Sequence, residues 1–135
     1  MARLESDLAQ ALLAACRGDL SQVKLDWSPE TAMVVIMASK GYPGVYENGS
    51  VIQNLVEAEL VAPSVKILHA GTTFDSDGNF IANGGRVLGV TAKGRSLEEA
   101  HERAYQAVQA VNWPGGVYRQ DIGWRGLPKK FPRQV

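Results

Sequence analysis

The longest unbroken apolar run of the chain, residues 32–38, limits the folds available to it. The run reads Ala-Met-Val-Val-Ile-Met-Ala. It is far shorter than the ~20 residues that a membrane-spanning helix needs. A short continuous run that contains β-branched residues is typical of a buried strand rather than of a two-turn helix. We therefore predict a strand over residues 32–38 with both of its faces buried.

Two other segments show the apolar spacing of three and four residues that is typical of an amphipathic helix. The first covers about residues 4–17, and Gly18 is placed to end it. The second begins with a capping box, in which the Ser96 hydroxyl and the Glu99 carboxylate satisfy amide donors of the first turn. It ends ahead of a proline-glycine-glycine sequence.

The remaining extended segments alternate in polarity or are rich in β-branched residues, and we predict strands over 23–27, 65–70 and 86–92. A turn signal at 75–79 predicts a hairpin, and 83–85 marks a second reversal. Gly89 is expected to let another group approach the backbone closely.

Strands joined by turns and flanked by two or three helices indicate an α+β domain built on an antiparallel sheet, because alternating βαβ units are absent. A chain of 135 residues is long enough for one core and too short for two. The last residues, 127–135, show no periodicity and are expected to form a loose tail.

Composition excludes several classes of protein. The single cysteine, Cys16, cannot form an internal disulfide, and with only His69 and His101 beside it a zinc site is not expected. We assign Cys16 to packing. Equal numbers of basic and acidic residues argue against a nucleic-acid surface and favour self-association. Three charges within the first seven residues argue against a signal peptide, so we expect a cytoplasmic protein without a membrane partner.

A glycine-rich loop follows the predicted buried strand and is the first candidate binding segment. It contains Lys40, Gly41, Tyr42, Pro43 and Gly44. Glycines allow a backbone to turn with positive φ and to present amide groups to an anion, whose charge a lysine offsets. The loop lacks the spacing of a Walker phosphate loop. An ordinary glycine-proline turn is the alternative interpretation.

The second candidate is formed by Gly84, Gly85 and Arg86 at the start of a predicted strand. An arginine beside two residues without side chains can present its planar guanidinium to a phosphate or carboxylate with little obstruction. The alternative interpretation is a hairpin turn followed by an exposed arginine.

The third candidate contains His69, Gly71 and Thr72 at the end of a predicted strand. His69 could donate to a ligand or titrate near neutral pH, and the alternative is a structural hydrogen bond. No complete nucleophile and base arrangement stands out anywhere in the sequence. We therefore predict neither a catalytic residue nor a metal ligand in this chain.

The order of these segments resembles the C-terminal region of the glycinamide ribonucleotide synthetase family, the phosphoribosylamine-glycine ligases. The likeness extends from residue 3 to about residue 125. The segments that carry it are 3–8, 39–44, 69–72, 84–92 and 118–123.

The resemblance implies an ATP-grasp ligase, in which magnesium ATP activates glycine as an acyl phosphate for attack by the amine of 5-phosphoribosylamine in purine synthesis. That family binds ATP and magnesium mainly in domains that precede this region, so no cofactor is expected on this chain alone, and the chain alone is expected to be inactive. The fold implied is a sheet-based half-barrel similar to the C-terminal domain of biotin carboxylase. We expect residues 1–22 to link to the ATP-grasp core, 23–126 to form the domain and 127–135 to form the tail.

The resemblance also assigns roles to the candidate segments. Gly84, Gly85 and Arg86 are implied to contact the ribose phosphate, while 40–44 and 69–72 line the same cleft. The ATP-grasp core of the same enzyme is the implied partner, and the phosphoribosyl substrate is the implied ligand.

Arg3 is implied to lie at the edge of this cleft. The alternative function is a stand-alone module of the same fold that binds a phosphorylated metabolite or mediates assembly. If the chain is a C-terminal portion of a longer enzyme, apolar residues near the N-terminal helix or the glycine loops should be exposed.

Overall fold

The computed structural model describes residues 1–128 and shows an α+β arrangement of six strands and three helices within that part of the chain. The elements are α1 Leu8–Cys16, β1 Thr31–Ser39, α2 Leu55–Leu60, β2 Lys66–His69, β3 Thr72–Phe74, β4 Phe80–Ala82, β5 Arg86–Gly94, α3 Leu97–Ala110 and β6 Gly116–Tyr118. Most of the tail predicted for 127–135 lies outside the described residues.

An antiparallel four-stranded sheet organises the domain, in the order β2-β5-β1-β6. The two nine-residue strands, β1 and β5, form its centre. Strands β3 and β4 form a separate two-stranded hairpin around the turn predicted at 75–79. The predicted antiparallel α+β architecture is therefore confirmed.

Strand β1 is buried on one face only. Met33, Val35 and Met37 point into the core and are at most 7% exposed, whereas Val34 and Ile36 are 45% and 41% exposed. Helix α3 packs against β1 and β5 from the core side. The prediction that both faces of this strand are buried is wrong, because the described helices leave the other face largely uncovered.

Helix α3 owes its position to its cap and to its small side chains. The Glu99 N–H donates to the Ser96 hydroxyl at 3.3 Å, as the capping box predicts. The Glu99 carboxylate accepts from the Arg95 N–H at 2.6 Å, one residue earlier than in the standard box. Ala100 and Ala104 are completely buried. Such small residues let the helix axis approach the sheet closely.

A β-bulge interrupts the pairing of the two central strands. Met37 lies opposite Leu88, and the next residue of β1, Ala38, lies opposite Arg86, so Val87 is the extra residue. If the pairing continued regularly through Val87, Arg86 would lie opposite the last residue of β1, whose side chain is buried. Since one step of register reverses the face of a side chain, the bulge places Arg86 on the uncovered side of the sheet.

We call this uncovered side the open face and define it by Val34, Ile36, Leu68 and Val117, which are 40–58% exposed. Gly89 lies among them. A Cβ built on Gly89 would stand 3.6–3.8 Å from the side chains of Val34, Ile36 and Leu68. The predicted close approach at Gly89 therefore involves side chains at ordinary contact distance.

Helix α1 begins later than the periodicity predicts. Its N-cap is Asp7, whose carboxylate accepts from the N–H groups of Ala9 and Gln10 at 2.8 and 3.4 Å. Gly18 follows its end with φ of +74°, which agrees with the predicted termination.

The strand predicted over 23–27 does not form. Leu4 and Trp27 make an isolated antiparallel bridge, and Trp27 is 50% exposed. The alternation of apolar residues in this segment therefore does not reflect a half-buried strand.

No residue of α1 is buried. Leu12 and Leu13 are more than half exposed, and Cys16, which the sequence assigns to packing, is also exposed. Apolar exposure near the N-terminal helix is what we expect of a domain taken from a longer protein. No helix within residues 1–128 combines the length and the apolarity required to cross a membrane.

Two short elements have no clear sequence signal. Helix α2 has six residues and begins after Asn54 in the left-handed conformation, and β6 has three residues. Ala58 of α2 is completely buried. Glu59 ties α2 to β2, because its carboxylate accepts from the Ile67 N–H at 2.7 Å and pairs with Lys66 at 3.3 Å.

Gly94 allows α3 to approach the end of β5. A Cβ on Gly94 would stand 2.6 Å from the Ala100 backbone nitrogen, so we expect Gly94→Ala to lower the free energy of unfolding by about 1–3 kcal/mol through overpacking. Urea unfolding followed by circular dichroism measures this. Gly89→Ala is the matched control on the same strand and should change stability by less than about 1 kcal/mol, because its surroundings leave room for a methyl group.

Glu59 should make stability depend on acid pH. The hydrogen bond from the Ile67 N–H is the largest cause that lowers the Glu59 pKa in the folded state. The resulting stabilisation is fully present above the unfolded pKa of ~4.3 and is lost as pH falls through the lower folded value. We expect Glu59→Gln to be less stable than the native chain at pH 7 and equally stable in strong acid. Equal urea midpoints for the two proteins at pH 7 would contradict this.

Candidate functional site

The loop after β1 and the glycine pair before β5 lie side by side. The Ser39 N–H donates to the Gly85 carbonyl at 2.8 Å, and the Ser39 hydroxyl donates to the Gly84 carbonyl at 2.8 Å. Ser39 is 2% exposed, so both hydrogen bonds are shielded from water. The ring of Tyr42 lies directly over Gly85, where a Cβ would clash with it. These two candidate segments are therefore in contact.

The loop itself is tightly folded. Gly41 has φ of +99°, and a Cβ there would clash with the carbonyl oxygen of Val45. The Gly44 N–H donates to the Gly41 carbonyl at 2.8 Å, and the peptide bond between Tyr42 and Pro43 is cis. Val45 at the tip is 97% exposed. The loop thus presents an apolar tip on a backbone that is held by its own hydrogen bonds.

The third candidate segment meets the second through its backbone. The Gly71 N–H donates to the Val87 carbonyl at 3.1 Å, and Gly71 accepts from the Asn83 N–H at 2.8 Å. A Cβ on Gly71 would stand 2.7 Å from the Arg86 carbonyl oxygen and 3.3 Å from the Gly84 Cα. Glycine is required here because the two backbones approach closely.

His69 makes the structural contacts that its alternative interpretation predicts. Its Nδ1 atom lies 2.9 Å from the Thr72 hydroxyl oxygen, and its ring lies 4.7 Å from that of Phe80. These contacts join the ends of β2 and β3 to β4. Neither His69 nor Thr72 borders the cleft that contains Arg86.

Arg86 borders a cleft of ≈ 460 Å³ on the open face. The floor of this cleft comes from outward-pointing residues of β1, and its rim carries both aromatic rings and guanidinium groups. The residues that line it are Val34, Ile36, Ala38, Tyr42, Arg86, Val117, Tyr118, Arg119 and Ile122. The bulge before Leu88 is what brings Arg86 into this set. We call it the Arg86 cleft.

Arg119, which the sequence candidates do not include, also borders the Arg86 cleft. Its Nε and one Nη donate to the two Asp121 carboxylate oxygens at 2.8 and 2.7 Å. The Asp121 side chain is 8% exposed, whereas that of Arg119 is 67% exposed. The hydrogen bonds to Asp121 raise the pKa of Arg119 above its usual value. In the sequence Arg119 lies within the 118–123 segment, which contributes to the family resemblance but does not single out this arginine.

Tyr105 of α3 fastens the segment that carries Arg119. Its hydroxyl donates to the Arg119 carbonyl at 2.6 Å and accepts from the Ile122 N–H at 3.1 Å. Burial is the largest cause that raises the pKa of Tyr105, so the hydroxyl stays protonated at neutral pH. The segment after β6 is thereby fixed to the helix that covers the core.

Lys40 borders a different cleft. Its N–H donates to the Gly115 carbonyl at 2.9 Å, and the residue lines a cavity of ≈ 610 Å³ together with Glu47 and Ser50. Of the residues expected to line one cleft, Tyr42 and Arg86 border the Arg86 cleft, whereas Lys40, His69 and Thr72 do not.

Arg3 lies at the N-terminal edge of the open face. Its Nε donates to the Ser28 carbonyl at 2.9 Å, and it borders a cleft of ≈ 390 Å³ with Trp27 and Leu68. Val34 borders both this cleft and the Arg86 cleft, so the two are adjacent. Within residues 1–128, no three histidine, cysteine, aspartate or glutamate side chains are grouped so that they could hold a metal ion.

Comparisons with known proteins point to one family. Residues 32–125 match the family model described as phosphoribosylglycinamide synthetase, C domain. The chain is 70% identical over 130 residues to the chloroplastic phosphoribosylamine-glycine ligase of Arabidopsis thaliana, which is 96% of this chain and 24% of that protein. It is 72% identical over 116 residues to the ligase of Vigna unguiculata, which is 86% of this chain and 37% of that protein.

A more distant relative and a solved structure agree with these. Identity to the ligase of Rhizobium meliloti is 47% over 130 residues, 96% of this chain and 30% of that protein. The crystal structure of phosphoribosylamine-glycine ligase from Thermotoga maritima superposes with a TM-score of 0.68 at 31% identity, covering 84% of this chain and 26% of that one. The chain thus spans about a quarter to a third of the length of these relatives.

The contact of Tyr42 with Gly85 can be tested by adding one methyl group. Gly85→Ala should displace the Tyr42 ring, lower the free energy of unfolding by about 1–3 kcal/mol and shift the NMR signals of that ring. Gly84→Ala is the control, because a Cβ on Gly84 would meet only the Gly71 Cα at 3.4 Å and the Arg86 carbonyl at 3.9 Å. Unchanged Tyr42 signals in Gly85→Ala would contradict the packing described.

Proposed function

The chain belongs to the phosphoribosylglycinamide synthetase C-domain family, and from that premise we propose that it is the C-terminal, substrate-enclosing domain of an ATP-dependent ligase that joins glycine to 5-phosphoribosylamine in purine synthesis. The observation that carries the proposal is the family match over residues 32–125. The domain contributes binding and positioning to the reaction, and the remainder of the ligase contributes the reacting groups.

Arg86 is the residue that we assign to the phosphate of the phosphoribosyl substrate. Its side chain is exposed at the mouth of a cleft with an apolar floor. A guanidinium group can donate two parallel hydrogen bonds to a phosphate, and such charge-assisted bonds are stronger than neutral ones. Gly84 and Gly85 precede it and present no side chain that would obstruct the ligand.

The other candidate segments support this position. Tyr42 borders the same cleft, and its loop is held against Gly85 by Ser39. Gly71 of the 69–72 segment lies close to the backbone of Gly84 and Arg86. In this proposal these segments hold Arg86 in place, while Lys40 and Arg3 lie at the margins of the substrate site.

ATP and magnesium belong, in this proposal, to the part of the ligase outside this chain. ATP supplies the phosphoryl group that activates the glycine carboxylate. For the metal, residues 1–128 contain no group of three or more histidine, cysteine, aspartate or glutamate side chains that could hold an ion. The chain alone should accordingly be inactive and should need the ATP-grasp core as its partner.

The proposed partner covers the open face and α1. The open face exposes Val34, Ile36, Leu68 and Val117, and α1 has no buried residue. The relatives are three to four times as long as this chain, and their additional polypeptide is what would cover these surfaces. We propose residues 1–22 as the link to the core, 23–126 as the domain and 127–135 as its tail, with a half-barrel likeness to the C-terminal domain of biotin carboxylase.

The closed core supports a second candidate function. Val35, Leu88 and Val90 are completely buried without any other chain, as expected of a domain that folds independently. A stand-alone module that binds a phosphorylated metabolite, or that associates with itself through the open face, is the alternative.

A chimeric enzyme tests the proposal. The chain would replace the matching C-terminal region of the Arabidopsis ligase, to which it is 70% identical. We expect the chimera to form ADP only when glycine and phosphoribosylamine are both present. Arg86→Ala should lower kcat/KM for phosphoribosylamine about 10- to 100-fold, the loss expected for hydrogen bonds to a charged group.

Arg95→Ala is the matched control. The Arg95 side chain is 90% exposed at the start of α3, outside the Arg86 cleft, and its ion pair with Glu99 is 3.4 Å long. Its removal should change kcat/KM by less than about a factor of two, because exposed pairs contribute little. A folded chimera without ligase activity would reject the proposed function and favour the stand-alone module.

A further inference from the structure

The Arg86 cleft carries two guanidinium groups and no carboxylate among its described lining residues. Arg86 approaches from the start of β5, and Arg119 approaches from the segment after β6. The floor between them is apolar and includes Ile36 and Ala38. Low-dielectric walls strengthen the attraction of such a cleft for an anion.

The ion pair with Asp121 engages only some of the N–H donors of the Arg119 guanidinium group. A guanidinium group has five N–H donors. Asp121 accepts from Nε and from one Nη. The remaining donors belong to a side chain that is 67% exposed and that borders the cleft. A second acceptor, such as a phosphate oxygen, can therefore bind Arg119 while the pair with Asp121 is kept.

Arg119 is also oriented before any ligand binds. The Asp121 side chain is 8% exposed, and its carboxylate accepts two hydrogen bonds from the guanidinium group. The Tyr105 hydroxyl fixes the backbone of the same segment through the Arg119 carbonyl and the Ile122 N–H. A side chain that is already ordered loses less conformational entropy on binding.

We propose that Arg119 is a second anion-binding residue of the Arg86 cleft, that it and Arg86 together hold a sugar phosphate, and that Asp121 and Tyr105 position it. This inference rests on the proposed function, which assigns the phosphate to Arg86, and extends it to a residue on a different element. The two arginines approach one phosphate from β5 and from the end of β6.

Calorimetric titration of the chain with ribose 5-phosphate tests this, with ribose as the ligand that lacks the phosphate. We expect the native chain to bind ribose 5-phosphate and not ribose. Arg86→Ala and Arg119→Ala should each weaken binding about 10-fold or more, and Arg95→Ala should leave it unchanged. Affinity should also rise as pH increases through ~6, where the phosphate takes its second charge, and this rise should shrink when either cleft arginine is removed.

A second variant separates a loss of ligand binding from a loss of folding. Arg119→Ala alone leaves the buried Asp121 carboxylate without this partner, which can destabilise the chain. The double variant Arg119→Ala with Asp121→Asn removes both charges. It should unfold at a temperature closer to that of the native chain and still bind ribose 5-phosphate weakly. Asp121→Asn alone keeps the guanidinium but loosens its orientation, so its affinity should lie between those of the native chain and the double variant.

Two outcomes would overturn the inference. The double variant could bind ribose 5-phosphate as tightly as Arg95→Ala, which would make the Arg119 pair purely structural. The native chain could also show no binding at about 10 mM ligand, where even a millimolar Kd gives measurable heat. Neither outcome decides the proposed function, which fails separately if the chimera has no ligase activity.

Discussion

The antiparallel pairing of β1 with β5 is the contact on which the rest of the structure depends. Both neighbours of the central pair, β2 and β6, join the sheet through one of these two strands, and α3 packs across both. The pairing also fixes the site, because its single bulge at Val87 sets the direction of Arg86. A backbone irregularity of one residue thus decides whether a cation faces the core or the cleft.

The one-sided cover of this sheet explains the distribution of polar and apolar groups. Helix α3 shields the core with alanines, and the opposite face keeps valine, isoleucine and leucine side chains at 40–58% exposure. The Arg86 cleft lies on that same face. Ligand site and partner surface are therefore continuous in our proposal, so closing the domain against a core would also remove water from around the bound phosphate.

Local signals in the sequence predicted local structure well. The capping box at Ser96, the hairpin at 75–79 and the helix stop at Gly18 depend on neighbours within a few residues, and all three formed. The face of β1 that is covered depends on distant packing, so an uninterrupted apolar run could not reveal it. A short helix such as α2 has too few residues to show a helical periodicity in the sequence. The alternation over 23–27 predicted a strand, but the segment pairs only through an isolated bridge at Trp27. The contact of Gly84 and Gly85 with the loop after β1 was suggested by family resemblance, whereas the position of Arg119 and Arg86 in the lining of one cleft required the three-dimensional sheet order.

The bulge at Val87 has a consequence for how sequences of this domain can vary in length. Regular pairing through Val87 would turn Arg86 toward the buried face, so a change of length between Gly84 and Arg86 that removed the bulge would misplace Arg86, while Tyr42 leaves no room for a side chain at Gly85. The tip of the loop after β1, where Val45 is almost fully exposed, has no such restriction. Insertions and deletions should therefore be tolerated at that tip and excluded from the turn before β5, even where individual substitutions in the turn are accepted.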